Sequence, residues 1–315
     1  MPAYYQRAPP MAPSWRTRRV LIREMTTADI PAGLALCRAS RWNQTEADWR
    51  CFLQAAPHGA LVAVEGGEVV GSVATLPYGP FAWVSMVLVL PVARGRGIGT
   101  QLLERGLALV PAGVVARLDA TPAGEPLYRK LGFEAEYGLA RMVCSAPGPS
   151  PAPTPGLKPR GYHDGKLSVG GMAVRPLTAS DWPVIRAIDA RVFGASRAGL
   201  IERLAIEAPE YAWVAATPRD VVGYVFGRRG HVRDHIGPLV AEDREAAGPL
   251  LDACLAQRAE RGVFVDVPDA QREWRAALDA RGFTIERPFL RMHRGPLADS
   301  GQPSQIFAVT GPEFG

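Results

Sequence analysis

The residues with the most readable chemistry are Arg94, Gly95, Arg96, Gly97, Ile98, Gly99 and Thr100, which lie between an apolar strand-like run and a helix-like one. A glycine-rich turn entering a helix leaves several backbone N–H groups unpaired and convergent, and the helix dipole adds partial positive charge there. Anions bind at such a place. The two arginines add charge-assisted hydrogen bonds worth roughly 1.5–3 kcal/mol each, so a pyrophosphate is the natural ligand. The plain alternative is a glycine turn with solvated arginines. A Walker loop is excluded, since no GxxxxGK followed by Ser or Thr occurs. The dinucleotide fingerprint GxGxxG fails at Leu102, which stands where its third glycine belongs, although Asp119 lies about 20 residues on, as a ribose-binding acid would.

The elements that must hold this loop follow from period and punctuation. Helices are expected over residues 29–40 and 46–55, strands over 60–65 and 68–77 around the Gly66-Gly67 turn, and an almost wholly apolar central strand over 83–90. After the loop, Ile98, Leu102, Leu103, Leu107 and Val110 share a helix face that Pro111 ends. A strand over 114–119, a short helix from Thr121-Pro122 to Gly132 and a last strand over 133–144 complete a mixed sheet with helices on its faces.

The chain has 315 residues, enough for about two domains. Prolines at 147, 149, 151, 153 and 155 mark an extended spacer between them. The two sides look like copies. Arg23 to Asp29 and Val69-Val70-Gly71 are echoed 152 positions later, and Leu131-Gly132-Phe133 and Arg141-Met142 are echoed 150 positions later. The expected division is an N-terminal arm over 1–19, a first unit over 20–144, a linker over 145–170 and a second unit over 171–315. A hydrophobic content of 47% and a charged content of 21% exclude collagen-like, coiled-coil and wholly disordered chains. No apolar run has membrane-span length, and the Arg-rich start lacks a signal-peptide core, so a cytoplasmic protein is expected. The net charge of +5 is a mild excess that suits an anionic small ligand as readily as nucleic acid, and no dense basic run interleaved with aromatics occurs. Cys37, Cys51, Cys144 and Cys254 form no CxxC pair and read as buried free thiols.

On Arg94, Gly97 and Gly99, with Leu127-Tyr128-Arg129-Lys130-Leu131-Gly132-Phe133 following at the right distance, residues 20–144 resemble the GNAT superfamily of acyl-coenzyme A dependent N-acyltransferases. The segments 42–49 and 118–124 resemble its tandem, YitH-like bacterial subgroup, whose second unit shares the fold. The resemblance implies an α/β (α+β) protein of two GNAT-like domains, each a mixed, mostly antiparallel sheet flanked by helices. It implies acetyl transfer from acetyl-coenzyme A to an amine of a small molecule or peptide, without a metal, membrane or nucleic-acid partner, by a monomer or homodimer. Met86, Val87, Leu88 and Val89 would align the pantetheine arm, and residues 94–100 would hold the pyrophosphate. Tyr128 would be the general acid, since a phenol is protonated at pH 7 and can hydrogen-bond a thiolate. Glu46, Asp48 and Asp119 are candidate bases. Trp42, Trp49 and Tyr78 would line an acceptor pocket, with Asn43 and Gln44 as polar contacts. The competing reading is an acyl-coenzyme A sensor without turnover.

The second unit departs from this pattern. Aligning Leu250-Leu251 with Leu102-Leu103 places Glu242, Glu245 and Ala247 at the positions of Arg94, Gly97 and Gly99, and carboxylates repel a pyrophosphate. Ala277 and Leu278 stand near where Leu127 and Tyr128 map. This half is expected to be a non-catalytic copy that shapes the acceptor site. His231 and His235 read as turn and strand residues rather than a metal pair. The role of residues 305–315 is not legible.

Overall fold

The computed structural model describes residues 19–145, 167–169, 171–257, 261–297 and 301–315; the expected N-terminal arm before residue 19 and the proline run lie outside the described residues. The first half runs β1 (Leu21–Glu24), α1 (Ile30–Ala39), α2 (Glu46–Ala55), β2 (Ala60–Glu65), β3 (Glu68–Pro77), β4 (Phe81–Val89), α3 (Ile98–Leu107), β5 (Val115–Ala120), α4 (Glu125–Lys130) and β6 (Glu134–Cys144). The second runs β7 (Leu167–Val169), β8 (Met172–Pro176), α5 (Trp182–Phe193), α6 (Ala198–Glu207), β9 (Trp213–Ala216), β10 (Val221–Arg228), β11 (Asp234–Ala241), α7 (Arg244–Gln257), β12 (Val263–Pro268), α8 (Arg272–Asp279), β13 (Thr284–Arg294) and β14 (Ile306–Ala308).

Both halves open with one device, which explains the repeated Arg, Thr, Asp spacing. Arg23 donates two hydrogen bonds of 2.8 and 2.7 Å to Asp29, and Arg175 donates two of 2.7 and 2.6 Å to Asp181. Each Asp also closes a capping box with the Thr three residues before it, Thr26 or Thr178. The arginine hydrogen bonds hold both carboxyls well below the usual range. The cap governs a single 3-10 turn, and helix α1 therefore begins at Ile30, one residue later than the period suggested.

Within each half the strands pair as the turns dictate, but the last strands are exchanged. The sheet order is β1-β2-β3-β4-β5-β13-β6-β12-β11-β10-β9-β8-β7, with β14 on β11. Strand β13 lies between β5 and β6, pairing Leu290 with Ala120 on one side and with Gly138 on the other. Strand β6 in turn completes the second half, pairing Cys144 with Val263 and Leu139 with Pro268. Strands β6 and β13 are the duplicated Arg-Met strands, so each finds an equivalent docking edge in the other copy.

Two reciprocal buried ion pairs lock the exchange. Arg141 donates to both oxygens of Asp266 at 2.8 and 2.7 Å, and Arg291 to both oxygens of Asp119 at 2.8 and 2.9 Å. Arg291 also donates to the Tyr137 hydroxyl at 2.6 Å. Burial works against the Arg291 charge, but Asp119 and Tyr137 outweigh it and hold the guanidinium above its ordinary pKa. Breaking such a pair from one side leaves a buried, uncompensated charge. Asp119→Asn is therefore expected to lower stability by about 3–5 kcal/mol, measured by urea unfolding.

The core sits on both sheet faces. Ile98, Leu102 and Leu103 of α3 are buried against the sheet, and Gly106 lets the helix approach so closely that an added Cβ would lie 2.9 Å from Val73. The four cysteines are buried. Among the described residues, no helix is long and apolar enough to cross a membrane.

Candidate active site

Strand β4 is bent at Met86. Its pairing with β3 steps from Ser72 opposite Leu88 to Ala74 opposite Ser85, so two residues of β4 face Val73 alone, and Met86 takes φ +54°. The buried Ser72 hydroxyl secures the bend by donating to the Met86 carbonyl at 2.8 Å. On its other edge, β4 pairs in parallel with β5 only over residues 81–83. Beyond them the strands part like a fork. A pocket opens there, lined by residues 84–87, Asp119, Thr121 and Tyr128 from the first half and by Arg287, Phe289 and Glu313 from the second.

At the far end of β4, Gly95 and Gly97 take φ +74° and +77°, a region that glycine enters without penalty, and Gly97 caps α3. Among the described residues, the N–H groups of residues 95–100 meet no acceptor. Arg94 is exposed and anchored by its Nε to the Val89 carbonyl at 2.9 Å. Arg96 differs from expectation: it is turned to Glu65 through two hydrogen bonds, one of 2.8 Å, so its charge is matched within the protein. Ile98 is buried and offers the loop only its backbone. The unpaired N–H groups and Arg94 fit a pyrophosphate, and the open β4 edge at Met86, Val87, Leu88 and Val89 fits an extended arm.

Of the other expected site residues, the structure brings some to the pocket and not others. Tyr128 lines it, its hydroxyl without a hydrogen bond among the described residues and its pKa pushed up to about 12 by burial. Gly124 packs so tightly against this ring that an added Cβ would lie 2.9 Å from it. Asp119 also lines the pocket, but Arg291 occupies both its oxygens, which removes it as a free base. Glu46 lies on the exposed start of α2, paired with Arg50 at 2.8 Å and away from the pocket. Asp48 is buried, closing the α2 capping box with Thr45 and meeting Arg228 at 2.7 Å. Trp42 lines the pocket. Asn43 lines it too, yet its amide is engaged with the second half, donating to Arg233 O and accepting from Val232 N, both at 2.8 Å. Trp49 is fully buried against Gly33 in the core, and Tyr78 donates to Phe314 O at 2.9 Å outside this pocket. The aromatic period of α2 reflects its core-facing side rather than a binding face.

The corresponding fork of the second half is filled. Strand β11 pairs with β12 only through Asp234 and His235, and β14 enters the gap beyond. It pairs with Leu239 and Val240 on one side, and Val309 N donates to Asp266 O at 2.9 Å on the other. The chain then crosses to the first half, where Trp83 holds Pro312 O at 2.9 Å and Phe52 stacks on Phe314. This path delivers Glu313 to the pocket, ion-paired with Arg228. Burial alone would raise the Glu313 carboxyl, but Arg228 and Arg141 outweigh it and hold it below its ordinary pKa, hence ionised. Beside it Gln44 Oε1 and Ser85 Oγ are buried acceptors without partners among the described residues. Sequence reasoning missed Glu313, Ser85, Arg141 and Arg287; only the Arg141–Arg291 echo carried a signal. His231 is exposed at a turn and His235 is buried in β11.

Two family models, each described as an acetyltransferase (GNAT) domain, match residues 56–135 and 185–308. Holothin acyltransferase of Pseudoalteromonas sp. (strain SANK 73390) is 25% identical over 279 residues, 88% of either chain. An uncharacterized N-acetyltransferase of Bacillus subtilis (strain 168), YitH, is 20% identical over 217 residues, 69% of this chain and 71% of that one. Among solved structures, a putative acetyltransferase from Pyrococcus horikoshii superposes with a TM-score of 0.75 at 21% identity, covering 99% of this chain and 100% of that one. A tandem GNAT protein from the clavulanic acid biosynthesis pathway gives 0.61 at 17% identity, covering 89% and 100%. These structural likenesses concern the fold.

Proposed function

The chain belongs to the GNAT superfamily, with a GNAT domain in each half, and from this premise we propose that it acetylates the amine of a small molecule. Acetyl-coenzyme A is the donor, the N-terminal half is catalytic, and the C-terminal half shapes the acceptor site. The observation that carries this reading is the asymmetry of the forks: the one between β4 and β5 is open, and β4 is followed by a loop whose N–H groups are unpaired among the described residues, while the one between β11 and β12 holds β14.

Acetyl-coenzyme A would supply an activated thioester when bound. Residues 95–100 and Arg94 hold its pyrophosphate, and the bent β4 edge positions the thioester carbonyl in the pocket. Gln44 Oε1, Ser85 Oγ and the ionised Glu313 are acceptors suited to the N–H groups of an amine. As the amine nitrogen bonds to the carbonyl carbon and the carbon–sulfur bond breaks, one proton leaves the nitrogen for water at Glu313. The Tyr128 hydroxyl, without a hydrogen bond among the described residues, would give its proton to the leaving sulfur and be reprotonated by solvent.

Calorimetry is expected to find one coenzyme A per chain, and acetyl-coenzyme A with a panel of small amines is expected to release free thiol. Two equivalents would overturn the assignment of roles to the halves. Tight binding without thiol release from any amine would make the protein a sensor instead.

A further inference from the structure

A second cavity joins the first, and Trp42, Asn43, Arg141 and Arg287 line both. We propose that this cavity binds an anionic group, a carboxylate or phosphate, carried by the acceptor amine, with Arg287 as its principal contact. The proposal rests on the acyl-transfer reading only in naming the acceptor as the molecule that carries the anion.

Five arginines line the cavity, Arg38, Arg41, Arg141, Arg233 and Arg287, against one acid, Glu286. Most are already matched. Arg141 is held by Asp266, Arg233 meets Glu286 at 3.3 Å, and Arg38 donates to the carbonyls of Trp42 and Gln44 at 2.8 and 2.6 Å. Arg287 is the half-buried exception. Among the described residues it has no carboxylate partner, its Nε is buried without an acceptor, and its guanidinium rests over the Phe289 ring at 5.0 Å. Its position adds to the anomaly. Strand β13 bulges at Glu286, which places Arg287 directly across from Arg141 in the ladder, and like charges so opposed destabilise a sheet. Burial and the neighbouring Arg141 both disfavour the Arg287 charge. A bound anion would satisfy the Nε and separate the two cations. At the rim, Arg41 is exposed at φ +56°, and its guanidinium has no partner among the described residues. None of residues 94–100 lines this cavity, so it lies apart from the pyrophosphate loop.

The arrangement reads as a bipolar acceptor site. Unpartnered acceptors near the thioester suit an amine, and an unpartnered donor beyond suits an anion on the same molecule. The class is therefore an amine bearing an acidic group, such as an amino acid or a phosphorylated amine.

The test uses the full chain, saturated with coenzyme A. Initial rates are compared for matched acceptors, γ-aminobutyrate against butylamine and phosphoethanolamine against ethanolamine. The anionic member is expected to have the higher kcat/KM by at least tenfold, and Arg287→Gln is expected to reduce that ratio at least tenfold through KM, with Arg287→Lys recovering part of it. A wild-type preference for the neutral amines, or an equal loss on both members, overturns the proposal. A comparable loss of coenzyme A affinity in Arg287→Gln would assign the arginine to the donor and overturn it too. If no amine turns over, the acyl-transfer reading fails by itself, and binding of the amine-free anions glutarate and phenyl phosphate decides the cavity. Calorimetric binding to the wild type that Arg287→Gln removes supports the site. Absence of binding to the wild type, or equal binding to a folded Arg287→Gln variant, overturns it.

Discussion

Gly97→Glu is expected to raise the dissociation constant for coenzyme A at least 100-fold. Two effects add. Gly97 holds φ +77°, where an L-residue pays roughly 1–2 kcal/mol, so the substitution strains the turn that aims the N–H groups. A carboxylate is then placed beside the pyrophosphate, and like unit charges about 4 Å apart repel by about 4 kcal/mol at an effective dielectric constant of 20. Crowding within the free protein contributes little, since a Cβ at Gly97 would meet only Gln101, at 3.9 Å. Gly97→Ala separates the two effects, carrying the strain without the charge, and should weaken binding about tenfold. Calorimetry checks both variants. A Gly97→Glu protein binding within threefold of wild type would remove the loop from the cofactor site.

Tyr128→Phe is expected to lower kcat by about 100-fold, the lower range for a lost general acid, while coenzyme A affinity changes by less than about threefold. The hydroxyl has no protein partner among the described residues, so its loss should leave the melting temperature near that of the wild type. The ring still packs edge-on to Phe133 at 5.9 Å in the variant. Burial holds the Tyr128 proton up to about pH 12, so the protonated, donating form persists across the working range. Any alkaline limb in the rate below about pH 10 must come from another group. Steady-state kinetics from pH 6 to 10 reads both points, and an unchanged kcat would leave Tyr128 a packing residue.

The duplicated strand and helix patterns were legible because they are local. The capping device at Arg23, Thr26 and Asp29 lies within seven consecutive residues and repeats at Arg175, Thr178 and Asp181. The glycine turn over residues 94–100 was legible for the same reason, since a glycine turn feeding a helix defines its own N–H geometry. Its limits were local too. That Arg96 belongs to Glu65 depends on a hairpin end 31 residues away. Glu46, Trp49 and Tyr78 were drawn to the site by residue type and are committed elsewhere, to the α2 surface, to the core and to Phe314, while Asp119 lines the pocket but is held by Arg291.

What the sequence by itself determined is a pair of related mixed-sheet units, with a glycine turn entering a helix in the first and acids at the matching positions of the second. Only the tertiary structure decided that β6 and β13 change places, that β14 fills the second fork and that Glu313 and Arg287 reach the first half's pocket. The reason is physical. A strand's alternation records which face is buried but not which edge it joins, and two copies of one fold offer equivalent edges. The choice rests on contacts such as Arg141 with Asp266 and Arg291 with Asp119, which join residues 125 and 172 positions apart.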